Sequence, residues 1–245
     1  MIRTEISYGN DVSHINKLMR CIPELCINDK WLSTCSESSL GKLLFANGIL
    51  DMKAGKFIRG FDPAIVFFAR FDYNFEVFSD EDTDYMYDIQ NRLFFSPLGE
   101  AMGTYLLTYF ARALAGDCMK RILFGLGMSN GGKSMIAKAV QNACGGYAGS
   151  FNGECLSYSR STTDEAAKNR WMLLLRYKRI ILSNEISMED RVLINGNTLK
   201  KLSSGGDTIT ARTHGKEEVD FVMHCMAVVF ANDMNDIKPV DKGLS

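Results

Sequence analysis

The stretch GLGMSNGGKS, residues 125–134, limits the possible folds of this 245-residue chain more than any other feature. It matches the pattern G-x-x-x-x-G-K-[ST], with Gly127, Gly132, Lys133 and Ser134 at the four fixed positions. This pattern predicts a phosphate-binding loop (P-loop), in which backbone N–H groups surround phosphate oxygens. Glycines let the backbone close on the phosphate, and the following helix adds the positive end of its dipole.

The residues around the loop have the order that a P-loop needs, which is strand, loop and helix. Residues 119–127 form a short apolar run that is typical of a buried parallel strand. Residues 134–146 have apolar side chains at helical spacing and end in a glycine pair, so we predict a helix there. Its apolar positions are Met135, Ile136, Ala139 and Val140. The alternative is a glycine-rich turn before an ordinary helix.

The ligand expected at this loop is ATP with Mg²⁺. Lys133 should reach the β- and γ-phosphates, and the Ser134 hydroxyl should ligate Mg²⁺. The expected ATP-binding residues are Gly127, Met128, Ser129, Asn130, Gly131, Gly132, Lys133 and Ser134.

Two later apolar runs predict strands that end beside the P-loop. Residues 179–185 end in Glu185, and a carboxylate at this edge of a parallel sheet can hold Mg²⁺ or polarise the attacking water. Asn184 stands where many P-loop enzymes carry a second acid, so metal binding would be weaker. Residues 224–234 lead to Asn232, whose amide can hydrogen-bond the γ-phosphate. We therefore predict Lys133, Glu185 and Asn232 as catalytic residues, with Ser134 and Glu185 as Mg²⁺ ligands.

Residues 197–223, between these two strands, contain the pattern of a β-hairpin. The segments TITART and EVDFV alternate, and a His-Gly pair between them indicates a tight turn. Basic residues at a hairpin tip can hold a phosphate backbone. The tip would offer Arg212, His214 and Lys216. The alternative is an ordinary solvated hairpin, because three acidic residues cancel the local charge, namely Glu217, Glu218 and Asp220.

The first 97 residues predict a small separate domain, with the P-loop domain over 98–245. Asn-Gly and Ala-Gly pairs at 47–48 and 54–55 predict one or two hairpins. The acidic run 79–88 predicts a solvated linker, with a metal site as the alternative. Two helices are also predicted, over 97–116 and over 164–175, the second capped by Thr163 or Asp164. The apolar side of the first helix consists of Met102, Leu106, Leu107 and Phe110.

Composition excludes several classes of protein. The net charge is −1, so any nucleic-acid site must be local rather than a global basic field. Seven cysteines without a C-x-x-C pair, and only three histidines, do not complete a zinc site and indicate a reducing compartment. No apolar run approaches the length of a membrane span, so we expect a soluble intracellular protein.

The order of the segments GMSNGGKS, IILSNE, LKKLSSGGDTITAR and VVFAN resembles the core of superfamily 3 helicases. The similarity is greatest to the poxvirus-type primase-helicases of large nucleocytoplasmic DNA viruses and related phages and plasmids. The pattern K-x-L-S-S-G-G-D-x-I-x-x-R, from Lys200 to Arg212, is its most specific part, and FANGILDMKAGKF resembles the small domain that precedes this core. The resemblance covers residues 40–242, most of the chain.

This resemblance implies an α/β fold of the P-loop NTPase (AAA+-like) kind, with an inserted β-hairpin and a preceding small mixed α+β domain. It implies a replicative, ATP-dependent DNA helicase that forms a hexameric ring, with single-stranded DNA in the channel and a primase region or other replication proteins as partners. If the source is viral, the protein would work in the host cytoplasm or nucleus. The residues implied on the DNA-facing element are Lys200, Lys201, Arg212, His214 and Lys216.

Two departures from the family lead us to expect a fragment. No primase-like region precedes residue 40, and the family's arginine finger lies beyond the third strand, where residues 233–245 contain no arginine. We therefore expect slow basal hydrolysis and poor ring assembly from these 245 residues alone. Two other functions stay open, a P-loop kinase acting on a small substrate and a chain that binds ATP or DNA without turnover.

Overall fold

Four parallel strands form the central sheet of the computed structural model. The structure describes residues 35, 37–158, 164–183, 193–213, 215, 217–234 and 236–239. The chain divides into two compact units, Met1–Glu37 and Ser38–Ser245, and nearly all described residues belong to the second. The strands are β1 (Lys42–Phe45), β2 (Gly48–Asp51), β3 (Lys56–Arg59), β4 (Leu123–Leu126), β5 (Ala148–Phe151), β6 (Ile180–Ser183), β7 (Ile194–Asn195), β8 (Ile209–Arg212), β9 (Glu218–Phe221), β10 (Met226–Ala231) and β11 (Ile237–Lys238).

Seven helices are described. They are α1 (Asp80–Gln90), α2 (Ser96–Leu98), α3 (Glu100–Leu114), α4 (Lys133–Cys144), α5 (Glu165–Lys168), α6 (Arg170–Leu175) and α7 (Gly196–Ser203). A π-helical turn, Asn91–Phe95, joins α1 to α2, and two 3₁₀ turns flank β5 at Gly145–Tyr147 and Gly153–Leu156. None of the helices within the described residues has the length and apolar content that crossing a bilayer requires.

The central sheet has the order β4-β10-β6-β5, so the last of its strands in sequence lies between the first and the third. All of its neighbouring strands are parallel. Every residue of β6 and β10 is buried, because helices or loops cover both faces of a parallel sheet. The predicted α/β class with a parallel P-loop sheet is therefore confirmed.

Alternate residues of the inner strands face two separate hydrophobic clusters. Ile180 and Leu182 join one cluster with Tyr109 of α3, whereas Ile181 joins the other with Met172 of α6. This alternation follows from the two-residue repeat of a strand. The strand before the P-loop differs from our expectation, since β4 is at an edge of the described sheet and only partly buried.

The segment before the P-loop domain folds as predicted around its glycine turns. Strands β1, β2 and β3 form an antiparallel sheet, and a Cβ at Gly48 would lie only 2.3 Å from the Ile58 carbonyl oxygen. Leu43 and Phe45 of β1 belong to the same cluster as Tyr109. The core is therefore continuous across residue 97, and the boundary that we placed there stays a prediction.

Two expectations for helical segments were wrong, one for the acidic run and one for two methionines. The acidic run is not a linker but the helix α1, because Ser79 and Asp82 form a reciprocal capping box at its start. Met102 of α3 and Met135 of α4, which we assigned to apolar faces, are 57% and 64% exposed. The buried faces of these helices instead use the small residues Gly103, Ala113 and Cys144 next to larger side chains.

A buried arginine joins three segments at the amino-terminal end of β6. Arg179 is 6% exposed, and its guanidinium donates to the carbonyl oxygens of Ala115 and Ser39 at 3.4 and 3.2 Å and to the Ser39 hydroxyl at 3.2 Å. Burial lowers its pKa below the usual arginine value. Gly116 has a φ of +80°, and a Cβ there would lie 1.6 Å from Nη1 of Arg179, so only glycine fits beside this side chain.

Candidate functional site

The P-loop is the sharp connection between β4 and α4. Asn130 and Gly132 have φ values of 66° and 84°, in the left-handed region. The Gly131 N–H donates to the Met128 carbonyl oxygen at 3.0 Å and closes the turn. Alternation of left- and right-handed residues turns successive N–H groups toward one side, where they make a concave site for an anion. The first turn of α4 begins directly after this bend and brings the positive end of the helix dipole to the same site.

The ammonium group of Lys133 is held inside this loop. Its Nζ atom donates to the Gly127 carbonyl oxygen, to the Met128 carbonyl oxygen at 3.0 Å and to Oδ1 of Asn232 at 2.8 Å. A lysine ammonium has three N–H donors and no acceptor, so oxygen atoms such as these are its natural partners. The positive charge is thus fixed at the mouth of the loop before any phosphate binds.

Asn232 reaches the loop because its strand neighbours the P-loop strand. The parallel register pairs Ala231 with Leu126, and the Gly127 N–H donates to the Ala231 carbonyl oxygen at 3.2 Å. The carboxyl ends of β4 and β10 therefore meet at the same edge of the sheet. The predicted position of Asn232 beside the P-loop is confirmed, while its role toward a γ-phosphate stays a prediction.

The end of β6 lies beside the end of β10 at this edge. Ser183 is 3% exposed, and its Oγ accepts the Phe230 N–H at 2.9 Å. The predicted acid Glu185 and its neighbour Asn184 lie outside the described residues, so their assigned roles stay predictions. Ser183, the last residue of β6, is at the same edge of the sheet as the P-loop.

The residues at this edge fit the phosphate groups of a nucleoside triphosphate. The bend supplies inward N–H donors, α4 supplies its amino-terminal end, and Lys133 supplies a charge. Ser134 is the second residue of α4 and is exposed. A hydroxyl that ligates a phosphate-bound metal must be accessible in this way. Within the described ranges, no cluster of three or more His, Cys, Asp or Glu side chains is placed to hold a metal without such a ligand.

The predicted hairpin is present between β6 and β10 in sequence. Strands β8 and β9 pair antiparallel, with Arg212 opposite Glu218 and Thr210 opposite Asp220. His214 and Lys216, predicted at the tip, lie outside the described residues.

Two of the basic residues assigned to DNA are bound to carboxylates in the structure. Arg212 forms an ion pair with Asp164, the N-cap of α5, and Lys201 of α7 forms one with Glu165 in the first turn of α5. The Lys201 ammonium lowers the pKa of Glu165. We call Asp164 and Glu165 the acidic pair. Lys200, also assigned to DNA, lies half-buried on α7.

A third contact fixes the hairpin to the helices beside it. The Asn169 side chain, between α5 and α6, is 8% exposed and donates from Nδ2 to the Thr210 carbonyl oxygen at 2.9 Å. A cleft of about 410 Å³ lies between α5, α7 and the hairpin. Its lining consists of Asp164, Glu165, Ala166, Asn169, Lys201, Thr208, Ile209, Thr210 and Glu218. The sequence indicated the hairpin and the α5 cap but not the contacts between them.

Comparisons with known proteins give relatives among viral helicases. The chain is 38% identical over 242 residues to the protein named "Putative helicase V13" of Sputnik virophage, which covers 98% of this chain and 30% of that protein. It is 27% identical over 205 residues to "Putative helicase L207/L206" of Acanthamoeba polyphaga mimivirus, which covers 81% of this chain and 20% of that protein. The chain thus spans less than a third of the length of either relative. No protein-family profile matches it.

Two solved structures of the C-terminal region of NrS-1 also match part of the chain. Their TM-scores are 0.46 and 0.44 at 15% and 16% sequence identity. They align with 64% and 65% of this chain, and the chain covers 34% and 36% of theirs. The sequence comparison is the stronger finding, and it places the chain close to viral proteins that are named as helicases.

Proposed function

We propose that this chain is the ATP-hydrolysing part of a viral-type DNA helicase of superfamily 3, one that couples hydrolysis to movement along single-stranded DNA. The observation that carries the proposal is the 2.8 Å contact between Nζ of Lys133 and Oδ1 of Asn232. It joins the P-loop cation to an amide at the end of the neighbouring strand, and such an amide can respond to the γ-phosphate. The viral relatives named as helicases support the same function.

Each residue of the site has a part in this proposal. The N–H groups of residues 127–134 bind the phosphate oxygens, and Lys133 neutralises charge on the β- and γ-phosphates. Mg²⁺, held by the Ser134 hydroxyl and Glu185, would supply further positive charge to the same oxygens. Glu185 orients the attacking water. Asn232 hydrogen-bonds the γ-phosphate or that water.

Nucleotide binding would change the partners of Lys133. In the structure its ammonium is shared among Gly127, Met128 and Asn232, and phosphate oxygens would replace some of these acceptors. Asn232 would then lose a donor when the γ-phosphate binds. The state of the nucleotide would thereby alter the carboxyl end of β10. The amino-terminal end of this strand follows the β8–β9 hairpin in sequence.

The hairpin is the proposed DNA element, and a hexameric ring would bring several hairpins around one strand. For Arg212 and Lys201 to reach phosphates, they would exchange the carboxylates of the acidic pair for phosphate oxygens. Carboxylate and phosphate oxygens both pair well with a guanidinium or an ammonium group, so the free-energy change of the exchange is close to zero. A measurement of the ATPase rate of the assembled ring with and without single-stranded DNA tests the proposal, which requires a rate that the DNA increases.

Glu185→Gln is expected to abolish turnover without removing ATP binding. Glutamine keeps the shape and hydrogen-bonding ability of glutamate but loses the charge that orients water, so the rate should fall at least about 100-fold while ATP persists unhydrolysed. Filter binding of labelled ATP and phosphate release measure the two properties. The assignment of Glu185 is wrong if the variant hydrolyses ATP at the original rate.

Lys216→Ala is expected to weaken single-stranded DNA binding evenly across sequences. Loss of one phosphate contact should flatten the dependence of log K on log salt by slightly under about one unit. The double variant Arg212→Ala, Lys216→Ala should bind more weakly still, with ATP affinity unchanged.

The matched control for the hairpin is the double variant Lys56→Ala, Arg59→Ala on β3, which removes one lysine and one arginine from exposed positions. Titration of a labelled oligonucleotide at several salt concentrations compares the two pairs. Equal affinity of the hairpin variant and the original protein would leave the hairpin without a role in DNA binding.

A further inference from the structure

The ladder between β6 and β10 ends in an unusual way beside the P-loop. The register pairs Met226 with Ile180 and Val228 with Leu182, and the Met226 N–H donates to the Arg179 carbonyl oxygen at 2.9 Å. Donors of one strand face the same neighbour at every second residue. The Phe230 N–H therefore faces Ser183, where the ladder would continue with the main-chain carbonyl.

A side chain takes the place of that carbonyl. The Phe230 N–H donates to Oγ of Ser183 at 2.9 Å, and both groups are buried. The hydroxyl satisfies a buried N–H that would otherwise have no partner in β6, while the Ser183 main chain takes no part in this bond. This bond therefore holds β10 at Phe230, beyond the last paired residues of β6 and β10.

Phe230 is also fixed on its other side, by the P-loop strand. A Cβ added at Gly125 of β4 would lie 2.6 Å from Cδ1 of the Phe230 ring, so the ring covers this glycine closely. Phe230 precedes Asn232 by two residues, and Ser183 precedes Glu185 by two. One hydroxyl therefore connects the strand that leads to the proposed acid with the strand that leads to the amide in contact with Lys133.

We propose that Ser183 is a positioning residue of the ATP site, whose hydroxyl sets the place of Asn232 relative to Lys133. This inference rests on the proposed ATPase function. It predicts an effect on the chemical step beyond the loss of stability that an unsatisfied buried N–H causes, because β10 keeps its paired residues with β4 as far as Ala231 and with β6 as far as Val228. Small displacements of a catalytic group lower the rate much more than they lower binding.

The test is a double-mutant cycle between Ser183 and Asn232 in the intact protein. Ser183→Ala should lower kcat for ATP by about 10- to 100-fold and change the Kd of a non-hydrolysable ATP analogue by less than about three-fold. Ser183→Thr, which retains the hydroxyl, should keep most of the activity. In an Asn232→Ala background, Ser183→Ala should have little further effect, because its route to the reaction is already absent. Thermal melting of each variant shows whether the sheet is intact.

The outcomes separate this inference from the proposed function. If the original protein turns over ATP but Ser183→Ala lowers kcat by the same factor with and without Asn232, then Ser183 is a structural residue and the ATPase assignment survives. If the original protein shows no turnover with or without single-stranded DNA, both the function and the role of Ser183 are overturned.

Discussion

Lys133→Ala is expected to weaken ATP binding by about 100-fold or more. The variant loses the only side-chain cation of the loop, which is expected to contact the β- and γ-phosphates. A hydrogen bond to a charged group contributes about 1.5–3 kcal/mol, and each 1.4 kcal/mol is a factor of about ten in affinity. Isothermal titration with a non-hydrolysable analogue measures the change.

A lysine on the same helix provides the control for this variant. Lys138 is exposed on α4, so Lys138→Ala removes an equal charge close to the site without touching the loop. Its ATP affinity should stay within about two-fold of the original, as expected for a solvated charge. Lys133→Ala should also differ from Glu185→Gln, which keeps binding. The roles assigned to the two residues are wrong if both variants have the same nucleotide affinity.

Arg179→Ala is expected to lower the free energy of unfolding by about 3 kcal/mol or more. The truncation removes the hydrogen bonds of a charged donor to Ala115 and Ser39, whose carbonyl oxygens keep only the backbone N–H groups of Gly41 and Lys42. It also removes the packing of a long side chain against Gly116. A loss of this size is a large part of the total stability of an ordinary domain, which is about 5–15 kcal/mol. Urea unfolding followed by circular dichroism gives the value.

Arg92→Ala tests whether burial is the reason. Arg92 pairs with Asp88 four residues earlier on the helical segment, and its side chain is 76% exposed. Its loss should cost under about 0.5 kcal/mol, as for other solvated pairs on helices. Equal destabilisation by the two substitutions would show that Arg179 does not hold its three segments together.

Local sequence patterns predicted the strands and the loop of the site, but the contacts between them depend on pairing of residues that are far apart in sequence. The P-loop, the acid-bearing strand and the strand before Asn232 each have a visible apolar run, and parallel strands bring their carboxyl ends to one edge. The contact between Lys133 and Asn232 joins residues 99 apart, and the Ser183 hydroxyl depends on where β6 leaves its ladder. Neither detail has a signal in the spacing of residues.

Other differences have simpler physical causes. Strand β5 is short and carries glycine and serine, so it is a strand only because β6 pairs with it residue by residue. We predicted a solvated linker from the charge of the acidic run, although the Ser79-x-x-Asp82 capping box in the sequence indicates the start of a helix. Met135 lies outside the buried face of α4, whereas Met102 shares a face of α3 with Tyr109 and Ala113 but stands in the first turn, two turns before Tyr109.

The acidic pair gives the proposed DNA element a built-in competitor. Because Arg212 and Lys201 are already neutralised by Asp164 and Glu165, these two residues present little bare positive charge to a polyanion that meets them from outside. A single phosphate gains little by displacing one carboxylate, but a strand that offers several phosphates at once can displace both. Discrimination of this kind favours an extended backbone over free nucleotides, which the cell holds at far higher concentration. The number of carboxylates on α5 would then set how many phosphates a ligand must offer at once in order to bind.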